Sequence, residues 1–125
     1  MNAGELMTTD VITCGPGESI AEVIERFECY HIAGMPVVKD DGELLGVISE
    51  SDLLDAERDD KVRDYMSSPA VSVEEDMPVE EVATIFRSKK VNRLPVVSEG
   101  RLIGIVTRDD LISYLANILA WREGM

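Results

Sequence analysis

The chain has 125 residues, 45% of them hydrophobic and 30% charged, with a formal net charge of −13. That length and apolar share fit one domain, or two small halves sharing a core, and exclude a disordered chain. The acidic balance argues against general binding to nucleic acid or to an anionic membrane, both of which need Lys and Arg to neutralise phosphate.

The N-terminus lacks the charged-then-apolar order of a signal peptide, and no apolar run approaches the roughly 18 residues of a membrane span, so the cytoplasm is the expected location. Leu6 to Asp10 reads as an entry helix or turn. Val11 to Cys14 reads as a short strand ended by Gly15-Pro16-Gly17. Ser19 and Glu22 have the spacing of a capping box, and Ile20, Val23, Ile24 and Phe27 then mark one face of a helix. Cys14 and Cys29 show neither metal nor redox spacing and are expected as reduced core residues. Pro36-Val37-Val38 is a strand, Asp40 to Glu43 a hairpin turn, and Leu44 to Ile48 a strand apolar enough to be buried on both faces. A further helix is expected near Ser51, carrying Leu53 and Leu54, followed by the charged connector Glu57 to Lys61.

The order then starts again. Val71-Ser72-Val73 echoes Ile12-Thr13-Cys14, with Pro78 in the first turn of the next helix. Val79, Val82, Ala83 and Phe86 match Ile20, Val23, Ile24 and Phe27, and Asn92 to Val97 matches Ala33 to Val38, a period of about 59 residues. Glu99-Gly100 is the second turn and Leu102 to Val106 the last strand. The final helix runs from about Asp109 towards Trp121, with Leu111, Leu115, Ile118 and Leu119 on one side. The expected fold class is α+β: two β-α-β-β-α repeats packed sheet to sheet with pseudo-twofold symmetry, because one unit is too small to bury its own sheet. A cleft would lie between them.

The chemistry concentrates in two loops. Gly104 to Leu111 is a buried strand, then Thr107, then Asp110 at the start of a helix. Thr107 can cap that helix, its freed N–H groups suit an anion, and Asp110 is placed to accept two hydrogen bonds from a vicinal diol such as a ribose. Ser49 and Asp52 repeat the pattern from Gly46 to Leu53. One copy is what a plain helix cap looks like; two copies in one short chain point to the repeat.

The ordered set — Pro-Val-Val, a hairpin, then Gly-Ile-Val-Thr-x-x-Asp-Leu — resembles the cystathionine-β-synthase (CBS) domain, and two in tandem resemble a CBS pair, or Bateman module. The likeness runs from about Leu6 to Leu119, with repeats at 6–57 and 64–119. The resemblance implies an adenosine compound (AMP, ADP, ATP or S-adenosylmethionine) as regulatory ligand, with no obligatory cofactor. It also implies a homodimer and a regulated enzyme, channel or transporter as partner. It assigns Asp52 and Asp110 to the ribose, with Ser49 and Thr107 as hydroxyl partners and Ser51 and Asp109 in the same loops. Base-lining positions fall on Ile12, Thr13, Val71 and Ser72. The segments before the Pro-Val pair fall on Ala33, Gly34 and Met35 ahead of Pro36, and on Asn92, Arg93 and Leu94 ahead of Pro95. Gly34 stands where the second repeat has Arg93, and Glu50 where it has Arg108, so the second repeat is the expected phosphate site.

Other residues are expected to be less informative. His31 reads as a helix-end or surface residue. Asp40, Asp41 and Glu43 resemble a cation site but are also usual turn formers. Trp121 and its stripe could serve as core or as a dimer contact, the latter being the reading taken. The expected function is a stand-alone regulatory module, energy sensing among its roles, since the repeats use the whole chain. Two alternatives stay open: a dimerisation module with empty clefts, and a slow metal-dependent nucleotide hydrolase using Asp52 and Asp110. The absence of a Ser/His/Asp or Cys/His set and of a Gly-rich phosphate loop counts against an enzyme.

Overall fold

The computed structural model describes residues 1–123, with side chains through Leu119. Asn2 opens the first helix, α1 (Ala3–Leu6): its Oδ1 accepts the Glu5 N–H at 2.9 Å, and its own N–H donates to the Glu5 carboxylate at 3.1 Å. This reciprocal cap starts the entry element three residues before the expected Leu6. In place of a strand at Val11 to Cys14, one parallel bridge joins Cys14 to Val37. Ser19 caps α2 (Ile20–Tyr30), accepting the Glu22 N–H at 3.3 Å. Ile20 and Val23 are buried, but Ile24 is 44% exposed, so the packed face is narrower than the sequence stripe. The helix ends at His31 in the left-handed region, with φ 54°.

Strands β1 (Gly34–Val38) and β2 (Leu44–Ser49) pair antiparallel, with a bulge at Val37/Val38. The turn between them uses Gly42 at φ 91°, and the Asp41 carboxylate accepts the Glu43 N–H at 3.0 Å. Asp40, Asp41 and Glu43 thus serve a turn, and no group of three or more metal-ligating side chains assembles among the described residues. On β2, Gly46 and Ile48 are buried while Leu44, Leu45 and Val47 are half-buried, which corrects the expectation of burial on both faces. The helix expected near Ser51 is a single 3-10 turn, Glu50–Leu53, and Leu54 is 84% exposed. The residues after Leu54 carry no apolar face to extend it. Strand β3 (Val73–Glu74) precedes α3 (Val79–Lys89), for which Pro78 is the N-cap rather than a first-turn residue. Lys90 ends α3 at φ 53°, as His31 ends α2. Strands β4 (Arg93–Ser98) and β5 (Arg101–Thr107) are joined by Glu99 and Gly100, both at positive φ, a two-residue turn suited to a hairpin. β3 pairs parallel with β4, and β5 completes that sheet. The last helix, α4, spans Arg108–Glu123. Among the described residues no helix is long and apolar enough to cross a membrane.

The chain forms two compact units that do not follow the repeat boundaries. One comprises residues 11–71 and 99–102; the other comprises 1–10, 72–98 and 103 onward. Each has its own core. The first buries Cys14, Ile20, Val23, Met35, Val37, Ile48 and Val62. The second buries Ala3, Val73, Val82, Phe86, Leu94, Val96 and Val106. Full burial of each aliphatic side chain contributes about 1.5–3 kcal/mol. Cys14 is a core residue as expected; Cys29 is exposed.

The leading segment of each repeat is exchanged into the other's unit. In the first unit Asp60 and Arg58 carbonyls accept the Ile20 and Ala21 N–H groups at 2.9 Å, capping α2. In the second, the Met1 carbonyl accepts the Val79 N–H at 3.1 Å. Lys61 bridges Ser19, and its counterpart Asn2 bridges Pro78; Ser67 bridges Val47, and Thr8 bridges Ile105. Gly46 and Gly104 permit these approaches: a Cβ at Gly46 would collide with the Ser67 carbonyl, and one at Gly104 with the Met7 side chain. Residues 99–102 group with the first unit because Leu44 N–H donates to the Gly100 carbonyl at 3.0 Å and Leu102 N–H to the Gly42 carbonyl at 2.9 Å.

Candidate functional site

In the second-repeat unit β5 runs directly into α4, and the junction is a reciprocal cap. Thr107 N–H donates to Asp110 Oδ2 at 2.9 Å, and Thr107 Oγ1 accepts the Asp110 N–H at 3.2 Å. Among the described residues Asp110 Oδ1 carries no hydrogen bond. The Asn92 carbonyl accepts the Arg108 N–H at 3.2 Å, which brings Asn92 and the start of β4, Arg93, beside the cap. Thr107 and Asp110 are half-buried, Arg108 and Asp109 exposed.

The first-repeat unit repeats this arrangement. Ser49 N–H donates to Asp52 Oδ2 at 2.8 Å, and the Ala33 carbonyl accepts the Glu50 N–H at 3.0 Å. Gly34 faces Ser49 across the β1–β2 ladder. The two differ in detail: Ser49 Oγ–H also donates to Asp52 Oδ2 at 3.1 Å, so that oxygen accepts twice, and Ser49 Oγ lies 3.1 Å from Ser51 Oγ. Among the described residues Asp110 Oδ2 accepts one such bond where Asp52 Oδ2 accepts two.

Each half-site thus gathers its acid, its hydroxyl and the segment before the Pro-Val pair. Not every expected wall residue faces outward. Met35 and Leu94, expected in the wall segments before the Pro-Val pairs, have side chains in the two cores at 1% and 0% exposure, and Pro36 and Pro95 are buried with them. Four consecutive positions of each strand, Gly34 to Val37 and Leu94 to Val97, are buried, so both faces of β1 and β4 are covered. Ile12 and Thr13 are half-buried just before the Cys14 bridge; Ser72 is half-buried just before β3, and Val71 is 42% exposed. His31 is exposed at the end of α2, and Trp121's side chain lies outside the described residues.

Three side-chain arrangements had no signal in sequence spacing. Arg108 turns back onto its own unit, donating from Nε to the Val91 carbonyl at 3.1 Å and from Nη2 to the Phe86 carbonyl at 3.3 Å, 5.8 Å above the Phe86 ring. Glu18 and Arg26 form an ion pair eight positions apart, a spacing outside helix pairing rules. Arg26 beside Glu18 holds the Glu18 carboxyl down to about 2, and the Gly15 N–H adds to this against burial. Tyr65 donates to Asp60 at 2.6 Å, fastening the connector, and lowers the Asp60 pKa.

Comparison with known proteins fits this geometry. The CBS domain profile matches residues 3–59 and 62–117. The chain is 38% identical over 112 residues to inosine-5'-monophosphate dehydrogenase of Methanocaldococcus jannaschii, covering 88% of this chain but 23% of the dehydrogenase. A crystal structure of CBSX2 in complex with AMP superposes with TM-score 0.87 and 28% identity, over 94% of this chain and 97% of that one. The cytosolic domain of the Mg2+ channel MgtE in complex with ATP superposes with TM-score 0.83 and 35% identity, over 90% of this chain and 48% of that one. With two profile matches in tandem, and an α+β fold shared with solved CBS pairs, the chain belongs to the CBS domain family as a tandem CBS pair.

Proposed function

We propose that the chain is a regulatory module that binds an adenosine compound at its hydroxyl–acid half-sites and passes occupancy on to a partner protein. The observation that carries this reading is the Thr107–Asp110 cap. It sets a half-buried carboxylate, whose Oδ2 accepts the Thr107 N–H, beside helix N–H groups and the Asn92–Arg93 backbone. A carboxylate so placed accepts from a ribose diol through charge-assisted hydrogen bonds, and the helix start suits a phosphate. The AMP and ATP held by the solved CBS proteins support the ligand class. AMP, ADP, ATP and S-adenosylmethionine are all candidates within it. The reading is regulatory rather than catalytic: both acids serve as cap acceptors, which ties each to its own helix start.

The partner is an enzyme or transporter by this reading, as in the CBS-bearing proteins the chain resembles. A homodimer is part of it as well. On α4, Ile112, Leu115 and Leu119 are 61%, 46% and 55% exposed, an apolar surface that a second copy would cover. Light scattering is expected to give twice the 13.8 kDa of one chain. Mass spectrometry of the purified protein, followed by calorimetry with AMP, ADP, ATP, S-adenosylmethionine and adenosine, tests the ligand. Binding of at least one is expected. No binding and no thermal shift with any of them would leave a purely structural module.

A further inference from the structure

The two half-sites hold their first wall by different means. In the second-repeat unit, β3 pairs with β4 through Val73 and Glu74. In the first-repeat unit, the equivalent stretch has the single bridge of Cys14 to Val37, and it runs on into Gly15-Pro16-Gly17. Two main-chain bonds hold Cys14 itself, from its N–H to the Pro36 carbonyl and from the Val38 N–H to its carbonyl, and an ion pair anchors the residues on either side. Arg26, on α2, donates from Nη1 to the Thr13 carbonyl at 3.2 Å and to Glu18 Oε2 at 3.0 Å, while its Nη2 pairs with Glu18 Oε1. Glu18 Oε2 in turn accepts the Gly15 N–H at 2.7 Å. One guanidinium and one carboxylate thus fasten the backbone on both sides of Cys14 to the helix. Both side chains are half-buried, at 31% and 27% exposure, which reduces screening by salt in part. The second repeat has Met77 and Ile85 at the equivalent positions, which can form no such pair.

We infer that Glu18 and Arg26 are positioning residues for the first half-site, holding the Thr13–Gly15 backbone in the shape a planar base packs against. This rests on the ligand reading above. The pair touches no ligand itself; it removes the ordering cost that a two-glycine loop would otherwise add to binding. Because it is confined to one repeat, its loss acts on one half-site.

The test is an amide NMR titration of the full chain with adenosine. The first half-site is read through Gly34 and Ser49, the second through Asn92 and Thr107. Glu18→Gln and Arg26→Gln are each expected to weaken binding at the first half-site about fivefold or more, with the second unchanged. The double variant Glu18→Arg with Arg26→Glu separates positioning from mere charge pairing. It restores attraction and thermal stability, but a guanidinium at position 18 cannot accept from Gly15, and a carboxylate at position 26 cannot donate to Thr13. Its first half-site should stay weak. Recovery of affinity in the swap, unchanged affinity in the single variants, or equal weakening at both half-sites would each overturn the positioning role alone. Wild-type protein that gives no response at Gly34 and Ser49 overturns it together with the ligand reading of that half-site.

Discussion

Thr107 and Asp110 cap each other: the Asp110 carboxylate accepts the Thr107 N–H at 2.9 Å, and Thr107 Oγ1 accepts the Asp110 N–H at 3.2 Å. Asp110→Ala therefore removes two things. Loss of the cap is expected to cost about 0.5–2 kcal/mol of stability. Loss of charge-assisted bonds to a ribose, at about 1.5–3 kcal/mol each, should weaken AMP binding at least about tenfold. Calorimetry and thermal melting read the two effects separately. A stability loss with unchanged affinity would reduce Asp110 to a cap.

The charge at the first helix position separates the half-sites. Arg108 stands in the second repeat where Glu50 stands in the first. Two like charges about 4 Å apart at a protein surface repel by roughly 4 kcal/mol, so phosphate should favour the second half-site. In an AMP titration, Arg108→Glu is expected to abolish the strongest site, and Glu50→Arg to create or tighten another. Adenosine, which lacks the phosphate, is the control and should bind both variants much as wild type. Because Arg108 also donates to the Val91 and Phe86 carbonyls, Arg108→Glu should lower stability too. Intact AMP affinity in Arg108→Glu would move the phosphate elsewhere.

Gly46 and Gly104 sit where the exchanged segments press closest. A Cβ at Gly46 meets the Ser67 carbonyl, which its own hydrogen bonds hold in place. One at Gly104 meets the Met7 thioether and, at 3.0 Å, the Thr8 carbonyl. Overpacking of this kind costs about 1–3 kcal/mol. Urea denaturation is expected to show both Gly46→Ala and Gly104→Ala destabilised. Gly46→Ala should suffer more, since a methionine can swing aside and a laddered carbonyl cannot. Wild-type stability in Gly46→Ala would mean the segment is not held as described.

Acid should expose the Glu18–Arg26 pair. The Glu18 carboxyl is lowered from 4.5 to about 2, first by the hydrogen bond from Arg26. A carboxylate with a depressed folded-state pKa stabilises fully above its unfolded value, and the contribution fades as pH falls from about 4.5 towards about 2. Urea midpoints taken through that window should fall less steeply for Glu18→Gln than for wild type. Parallel curves would show that the pair contributes nothing to folding.

Local rules were legible in the chain. The Ser19–Glu22 cap, the buried Val79, Val82 and Phe86 of α3, the Glu99-Gly100 turn and the two hydroxyl–acid loops all depend on neighbours within a few positions. Side-chain spacing records such neighbours directly. The shared site of the Ala33 and Asn92 segments with the hydroxyl–acid loops was implied by the family resemblance, and main-chain bonds from Glu50 to Ala33 and from Arg108 to Asn92 bring them together. What the tertiary structure decided is what passes through the backbone or between remote positions. The exchange of residues 1–10 and 62–71 is built from main-chain bonds such as Thr8 with Ile105, and an N–H or carbonyl leaves no mark on residue type. Ile24 was read on the packed face of its helix but is 44% exposed, because an apolar residue states a preference for burial and only packing supplies a partner. Arg108 was read for its charge alone; the Val91 and Phe86 carbonyls it binds come within reach only once β4 and α3 are placed beside it.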